Sequence, residues 1–273
     1  MEENIAEVTR EETSIHRYYY SIANMSFELL EIEKGKEYYT IMYSCVYSYY
    51  QESLALLRSN RKLMVVIDKQ ENEFELNYLA RRKKVDKALN SADDEDKDFL
   101  LYQASNLLQE KMHFYEDRDL ERNLFALSAI VQFLSLFEST LYTIYTELIQ
   151  IDNKLPDLQD VCTRDRGIVK YLKYFENGLM SKQYSVIIGS MNYQKLHQWI
   201  KLRNNIVHNN NNVTMELKQI IDQQNLNIGE KKGKFIFDDS NINNVAEICG
   251  EILDDLIDKL FKPYFLNIDI ITK

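Results

Sequence analysis

The chain has 273 residues, enough for one large domain or two small ones, yet it holds only 2 prolines and 7 glycines. No glycine falls between Gly35 and Gly167 and no proline before Pro156. That excludes a sheet-rich fold over this stretch, because sheets need turns and turns draw on Gly, Pro, Asn and Asp. The net charge of −10 excludes a surface built throughout for nucleic acid, and three scattered cysteines without a CxxC pair (Cys45, Cys162, Cys249) point to reduced thiols and no zinc site.

Residues 1–35 turn from acidic to amphipathic. Ile15, Tyr18, Tyr19, Ile22, Met25 and Leu29 predict a helix that ends near Gly35. The acidic start carries no signal-peptide pattern, so a soluble cytoplasmic protein is expected. Residues 37–90 read as one long helix or two with a bend, with Tyr39, Val46, Tyr50, Leu54, Met64 and Phe74 on the apolar stripe. The run Arg81-Arg82-Lys83-Lys84 is either a solvated helix face or a phosphate contact. At Ser91 to Asp96 the pattern breaks. A new helix starts there with acids at its positive end and runs to about residue 115.

The strongest hydrophobic helix covers 120–150, where Leu124, Leu127, Val131, Leu134, Leu141 and Tyr145 form a stripe. Its most apolar run, Leu124 to Phe137, is too short to span a bilayer, so a buried core helix and no membrane partner are expected. Glu138 lies inside the stripe. A carboxylate there finds a partner, takes a proton or sits at the rim. A loop around Pro156 follows, then helices over 166–177, 191–209 and 213–224. Asn225 to Ile228, Gly229 to Lys234 and Phe235 to Asp238 read as strand, turn and strand. A last helix over 241–262 stops before Pro263. The expected fold is all-α: a helical bundle with long N-terminal helices and one small β-hairpin before the last helix. Two units are expected, an N-terminal helical extension over 1–119 (a sensor, dimerisation or partner-binding arm) and a helical domain over 120–273.

The chemistry gathers at Lys201-Leu202-Arg203-Asn204-Asn205-Ile206-Val207-His208. Leu196, Trp199, Ile200, Ile206 and Val207 are expected on one buried face, and Arg203 falls on that face too. A guanidinium aimed at a core is costly unless it is paired or has a task, and Glu138 is the obvious partner. Asn204 and His208 are i,i+4 neighbours on one edge, and His208 lies near a helix end. Asn209 to Asn212 read as a polar cap and loop. From Arg164 to Lys234 twelve basic residues stand against five acidic ones, a local excess of about +7 on an acidic chain. Such a field binds phosphate, or its lysines are ordinary solvated faces.

An apolar helix with an embedded Glu138, a short helix, Arg203-Asn204-x-x-x-His208 at a helix end, a polar loop, a hairpin and a final helix follow one another. This order resembles the HEPN (higher eukaryotes and prokaryotes nucleotide-binding) superfamily of helical RNases over about residues 120–265. The resemblance implies a metal-independent endoribonuclease without cofactors. The RNA 2′-OH attacks the adjacent phosphate, leaving 2′,3′-cyclic phosphate and 5′-OH ends. His208 is then the general acid or base, Arg203 stabilises charge on the phosphate, Asn204 orients His208 or binds a phosphate oxygen, and Glu138 holds Arg203. Lys201, Asn205 and Asn209 beside the motif, with Lys231 and Lys232 in the hairpin, are the RNA-binding candidates. One Arg and one His per chain imply a homodimer with a composite site. The resemblance further implies a toxin or antiphage abortive-infection effector, with an antitoxin or trigger protein as a further partner. The alternative is a catalytically inactive HEPN-like module that binds RNA or a nucleotide, or a helical protein-interaction module.

Overall fold

A computed structural model describes residue 41 and residues 45–151, 154–179, 186–223 and 226–261. The helix expected within residues 1–35 and the tail after Pro263 lie outside the described residues. The fold is the all-α bundle expected from the sequence, with one small antiparallel hairpin before the last helix. In chain order it comprises α1 (Tyr47–Ser91), α2 (Asp94–Ile151), the short α3 (Leu158–Val161), α4 (Gly167–Leu179), α5 (Met191–His208), α6 (Met215–Gln223), β1 (Gly229–Lys231), β2 (Lys234–Ile236) and α7 (Asp239–Leu256), which runs on into a π-helical turn, Ile257–Phe261.

Two long helices set the frame. α1 has 45 residues and stops where Ala92 turns extended; α2 restarts with Asp94, Glu95 and Asp96 in its first turn, where the helix dipole favours acids. The pair is antiparallel: Phe74 stacks on Phe114 with ring centroids 3.9 Å apart, Lys111 reaches Glu75 at 2.7 Å, and Arg122 reaches Asp68 at 2.7 Å. α2 runs unbroken for 58 residues, so the expected stop near residue 115 is not there and the expected 119/120 boundary falls inside a helix. The acidic stretch 116–121 contains no helix breaker. Its charges are met within the stretch by Arg118, which reaches Glu121, and from the hairpin by Lys231, which reaches Asp119, and Lys232, which reaches Glu116.

The core side of α2 is Ala126, Ile130, Phe133, Phe137, Ile144 and Leu148, all buried, while Leu124 is 53% exposed. Leu134 and Leu141 of the expected stripe are buried too, so the stripe holds along its length and departs from expectation at Leu124. The reason is Asn123, which is buried because it fastens the hairpin: its Nδ2 donates to the Phe235 carbonyl (3.4 Å) and its Oδ1 accepts the Phe237 N–H (3.0 Å). By length and composition α2 could cross a membrane, with mean hydropathy 1.6 in its most apolar window, and 39% of that window packs inside the bundle. The hairpin is shorter than expected. β1 starts at Gly229, and the chain reverses over Lys232 (φ 51°) and Gly233 (φ 74°), a two-residue left-handed turn. α7 opens with a capping box, Asp238 accepting from Asn241 N–H while the Asn241 side chain accepts from Asp238 N–H.

Candidate functional site

α5 carries the motif. Ser190 caps its start by accepting the Tyr193 N–H at 3.1 Å, and Trp199 locks it to α7 through an indole N–H to Asn244 Oδ1 bond of 2.8 Å. Its buried residues are Leu196, Trp199, Leu202 and Asn205. This face is turned from the expected one. Ile200 and Ile206 are half-buried and Val207 is 48% exposed. Asn205 takes the inward place because its Nδ2 donates to the Asn212 carbonyl at 3.1 Å, while its own carbonyl accepts the Asn209 N–H at 2.9 Å.

The asparagine run after α5 is more than a polar cap. Asn210 (φ 51°) and Asn211 (φ 59°) adopt left-handed backbone, which asparagine tolerates better than most residues. Asn211 is buried and donates to the Phe235 carbonyl at 2.7 Å. Phe235 N–H returns to the Asn211 carbonyl, Val213 N–H reaches the Gly233 carbonyl, and Asn212 bridges Lys234. The loop is thus stitched to the hairpin edge, and the end of α5 is held in place by backbone bonds. Nothing in the sequence beyond four consecutive asparagines signals this role, or that of Asn123. Glu176 is a third residue of this kind: buried on α4, it accepts the N–H groups of Ile187 (2.9 Å) and Ile188 (3.3 Å) and so anchors the approach to α5.

Beside the end of α5 lies a cleft of about 420 Å³. Lys201, Asn204, Asn205, His208 and Asn209 line one side; Thr214, Glu216 and Leu217 line the other. His208 is exposed, in the last turn of α5. Lys201 reaches Glu216 across the cleft at 3.1 Å. Arg203 is half-buried at the helix edge, donating to Asn204 Oδ1 at 3.2 Å, and is not part of the lining. His208 is five positions further on, about 140° around a helix. One chain therefore turns the guanidinium and the imidazole to different sides.

The other expected site residues lie elsewhere. Glu138 is half-buried on α2 against the start of α4, where a side chain at Gly167 would meet its Oε1 at 3.4 Å. The free N–H groups and positive end of α4 suit a carboxylate there. Among the described residues no hydrogen bond or ion pair joins Glu138 to Arg203. Lys231 and Lys232 pair with Asp119 and Glu116 of α2, away from the cleft lining. Cys45, Cys162 and Cys249 are buried free thiols, and among the described residues no cluster of three His, Cys, Asp or Glu forms a metal site. Comparison with protein-family models, with curated proteins and with solved structures finds no match for this chain.

Proposed function

We propose that this chain is a metal-independent endoribonuclease of the HEPN type, acting in the cytoplasm as a toxin or antiphage abortive-infection effector. The observation that carries the reading is the cleft at the end of α5, where the exposed His208 imidazole stands beside Asn204 and Lys201. RNA supplies its own nucleophile, so the protein needs only to move protons and stabilise charge. An exposed imidazole in reach of the strand can serve as general acid or base. Asn204 and Lys201 can hold phosphate oxygens, and Arg203 supplies the planar fork that meets charge on the phosphate. The 140° between Arg203 and His208 supports a homodimer in which two α5 ends face one strand, so that the arginine of one chain and the histidine of the other share a phosphate.

The test is cleavage of a labelled RNA and the matching DNA in EDTA by wild type and His208→Ala. RNA cut by wild type alone, with cyclic-phosphate ends, is the expected result. Loss of cutting should come with an unchanged melting temperature, since His208 is exposed. Equal cutting by His208→Ala would sink the assignment. A second reading, an RNA- or nucleotide-binding module without catalysis, is favoured by the position of Arg203 outside the cleft. Under that reading neither protein cuts, and wild type still binds RNA.

A further inference from the structure

Three cations at the start of α4 meet no counter-charge among the described residues. Arg164 and Arg166 are exposed on the segment leading into α4, and Lys170 is half-buried on its first turn; among the described residues none of the three makes a hydrogen bond or an ion pair. Their acidic neighbour is already occupied, because Lys173 holds Asp165 at 2.6 Å. Lys170, Lys173 and Asn177 follow at spacings of three and four, so they share the outward face of α4, and Arg166 stands just before its first residue. The opposite face is apolar, with Ile168, Leu172 and Phe175 buried.

α5 continues this surface. Tyr193, His197, Lys201, Asn204 and His208 repeat every three or four residues on the face opposite Leu196, Trp199 and Leu202. They run about 22 Å along the helix, from Tyr193 to the cleft. Tyr193 and His197 stack at 6.2 Å with rings 26° apart. Glu176 on α4 holds the Ile187 and Ile188 N–H groups just ahead of α5, and Lys173, three residues before it, is clasped to Asp165 at 2.6 Å, so the α4 cations lie toward the Tyr193 end of this row. Partial burial, then Lys201 and Lys173, hold the His197 ring below the ordinary histidine value, which favours its uncharged form. On the far flank of α4, Tyr142 is 52% exposed and meets Tyr171 edge-on at 6.1 Å.

We infer that the outward faces of α4 and α5 form one track for single-stranded RNA, with Arg164, Arg166 and Lys170 on the phosphates and the Tyr193–His197 stack under the bases, leading to the His208 cleft. Unpaired cations next to stacked aromatic rings suit a strand whose bases are free, because every base has a face to stack and every phosphate a charge to meet. A duplex hides its base faces, and an acidic peptide would use the charges but leave the rings idle. The track rests on the nuclease reading only for what happens where it ends.

The experiment uses the full chain and a fluorescein-labelled 2′-O-methyl RNA of about twelve nucleotides, which carries no free 2′-OH and so binds without being cut. Anisotropy is read across a salt series for wild type, for the triple variant Arg164→Ala/Arg166→Ala/Lys170→Ala, and for His197→Ala. The triple variant should bind at least about tenfold more weakly, with the salt slope reduced by about 2, and melt as wild type does. His197→Ala should lose about tenfold with the slope unchanged. Wild-type-like binding by the triple variant, equal binding of a duplex of the same length, full competition by polyglutamate, or no binding by wild type overturns the track, even if unmodified RNA is cut. Binding that depends on the three cations, with unmodified RNA left intact, keeps the track and removes the nuclease.

Discussion

On the arm formed by α1 and the first half of α2, Arg81 reaches Glu110 at 2.7 Å, Lys111 reaches Glu75 at 2.7 Å, and Arg122 holds both Asp68 and Glu71. On the approach to α4, Arg164, Arg166 and Lys170 reach no carboxylate among the described residues. The residue types are the same, and what differs is what stands across from them. The arm is an antiparallel pair in which each helix carries both signs, so acids of one lie level with bases of the other. Its pairs act on each other: hydrogen bonding to Glu75 raises the Lys111 pKa, and Lys111 holds the Glu75 carboxyl below its usual value. Among the described residues nothing acidic stands across from Arg164, Arg166 and Lys170, and their charges remain available to a ligand. A basic stretch in a sequence is thus a poor guide to binding until its counter-charges are located. Arg81-Arg82-Lys83-Lys84 looks the stronger phosphate contact on paper, yet Arg81 and Arg82 are both paired with carboxylates of the arm.

The hardest test of this contrast is Phe114→Ala. Phe114 stacks on Phe74 with nearly parallel rings, and its loss should cost about 2 kcal/mol in chemical denaturation. RNA affinity should not move; a parallel loss of affinity would mean that the arm is part of the binding surface. A smaller effect separates two single cations. Arg122→Ala removes a half-buried guanidinium from two carboxylates and should cost about 1 kcal/mol of stability with RNA binding unchanged. Lys170→Ala should do the reverse, leaving the melting temperature alone and lowering the salt slope of RNA binding by about 0.7. The smallest effect is on pH. His197 is held below the ordinary histidine value in the folded chain, so on acidification the unfolded chain takes up the proton first. Its contribution to stability is therefore complete above the ordinary value and is lost as pH falls toward the folded one. Melting between about pH 5 and pH 7 should rise with pH, and less so in His197→Gln; equal slopes would place the titration elsewhere.

Element positions were legible where one signal dominated. No glycine falls between Gly35 and Gly167 and no proline before Pro156, and long helices follow. Acids after Ser91 mark the start of α2, and the indole of Trp199 marks the buried side of α5. Legibility failed where a polar residue took a core place. Asn123 and Asn205 sit inward on helices whose apolar stripes predict hydrophobic residues nearby, because each bonds a backbone carbonyl outside its own helix that helical spacing does not show. The same shift exposes Leu124 and Val207. Glu138 shows the other limit: as a carboxylate in an apolar stripe it called for a partner, and the one it meets is the start of α4.

What the sequence by itself determined is the helical class, the order of the elements and the grouping of Arg203, Asn204 and His208 within two turns, since propensity, punctuation and helical spacing are local properties. What only the tertiary structure decided is which charges are paired and which faces adjoin. Lys231 and Lys232 go to α2 and Glu138 goes to α4, because hydrogen bonds and ion pairs between residues far apart in the chain depend on how helices pack, and helical spacing fixes a residue's face without naming the neighbour it will meet.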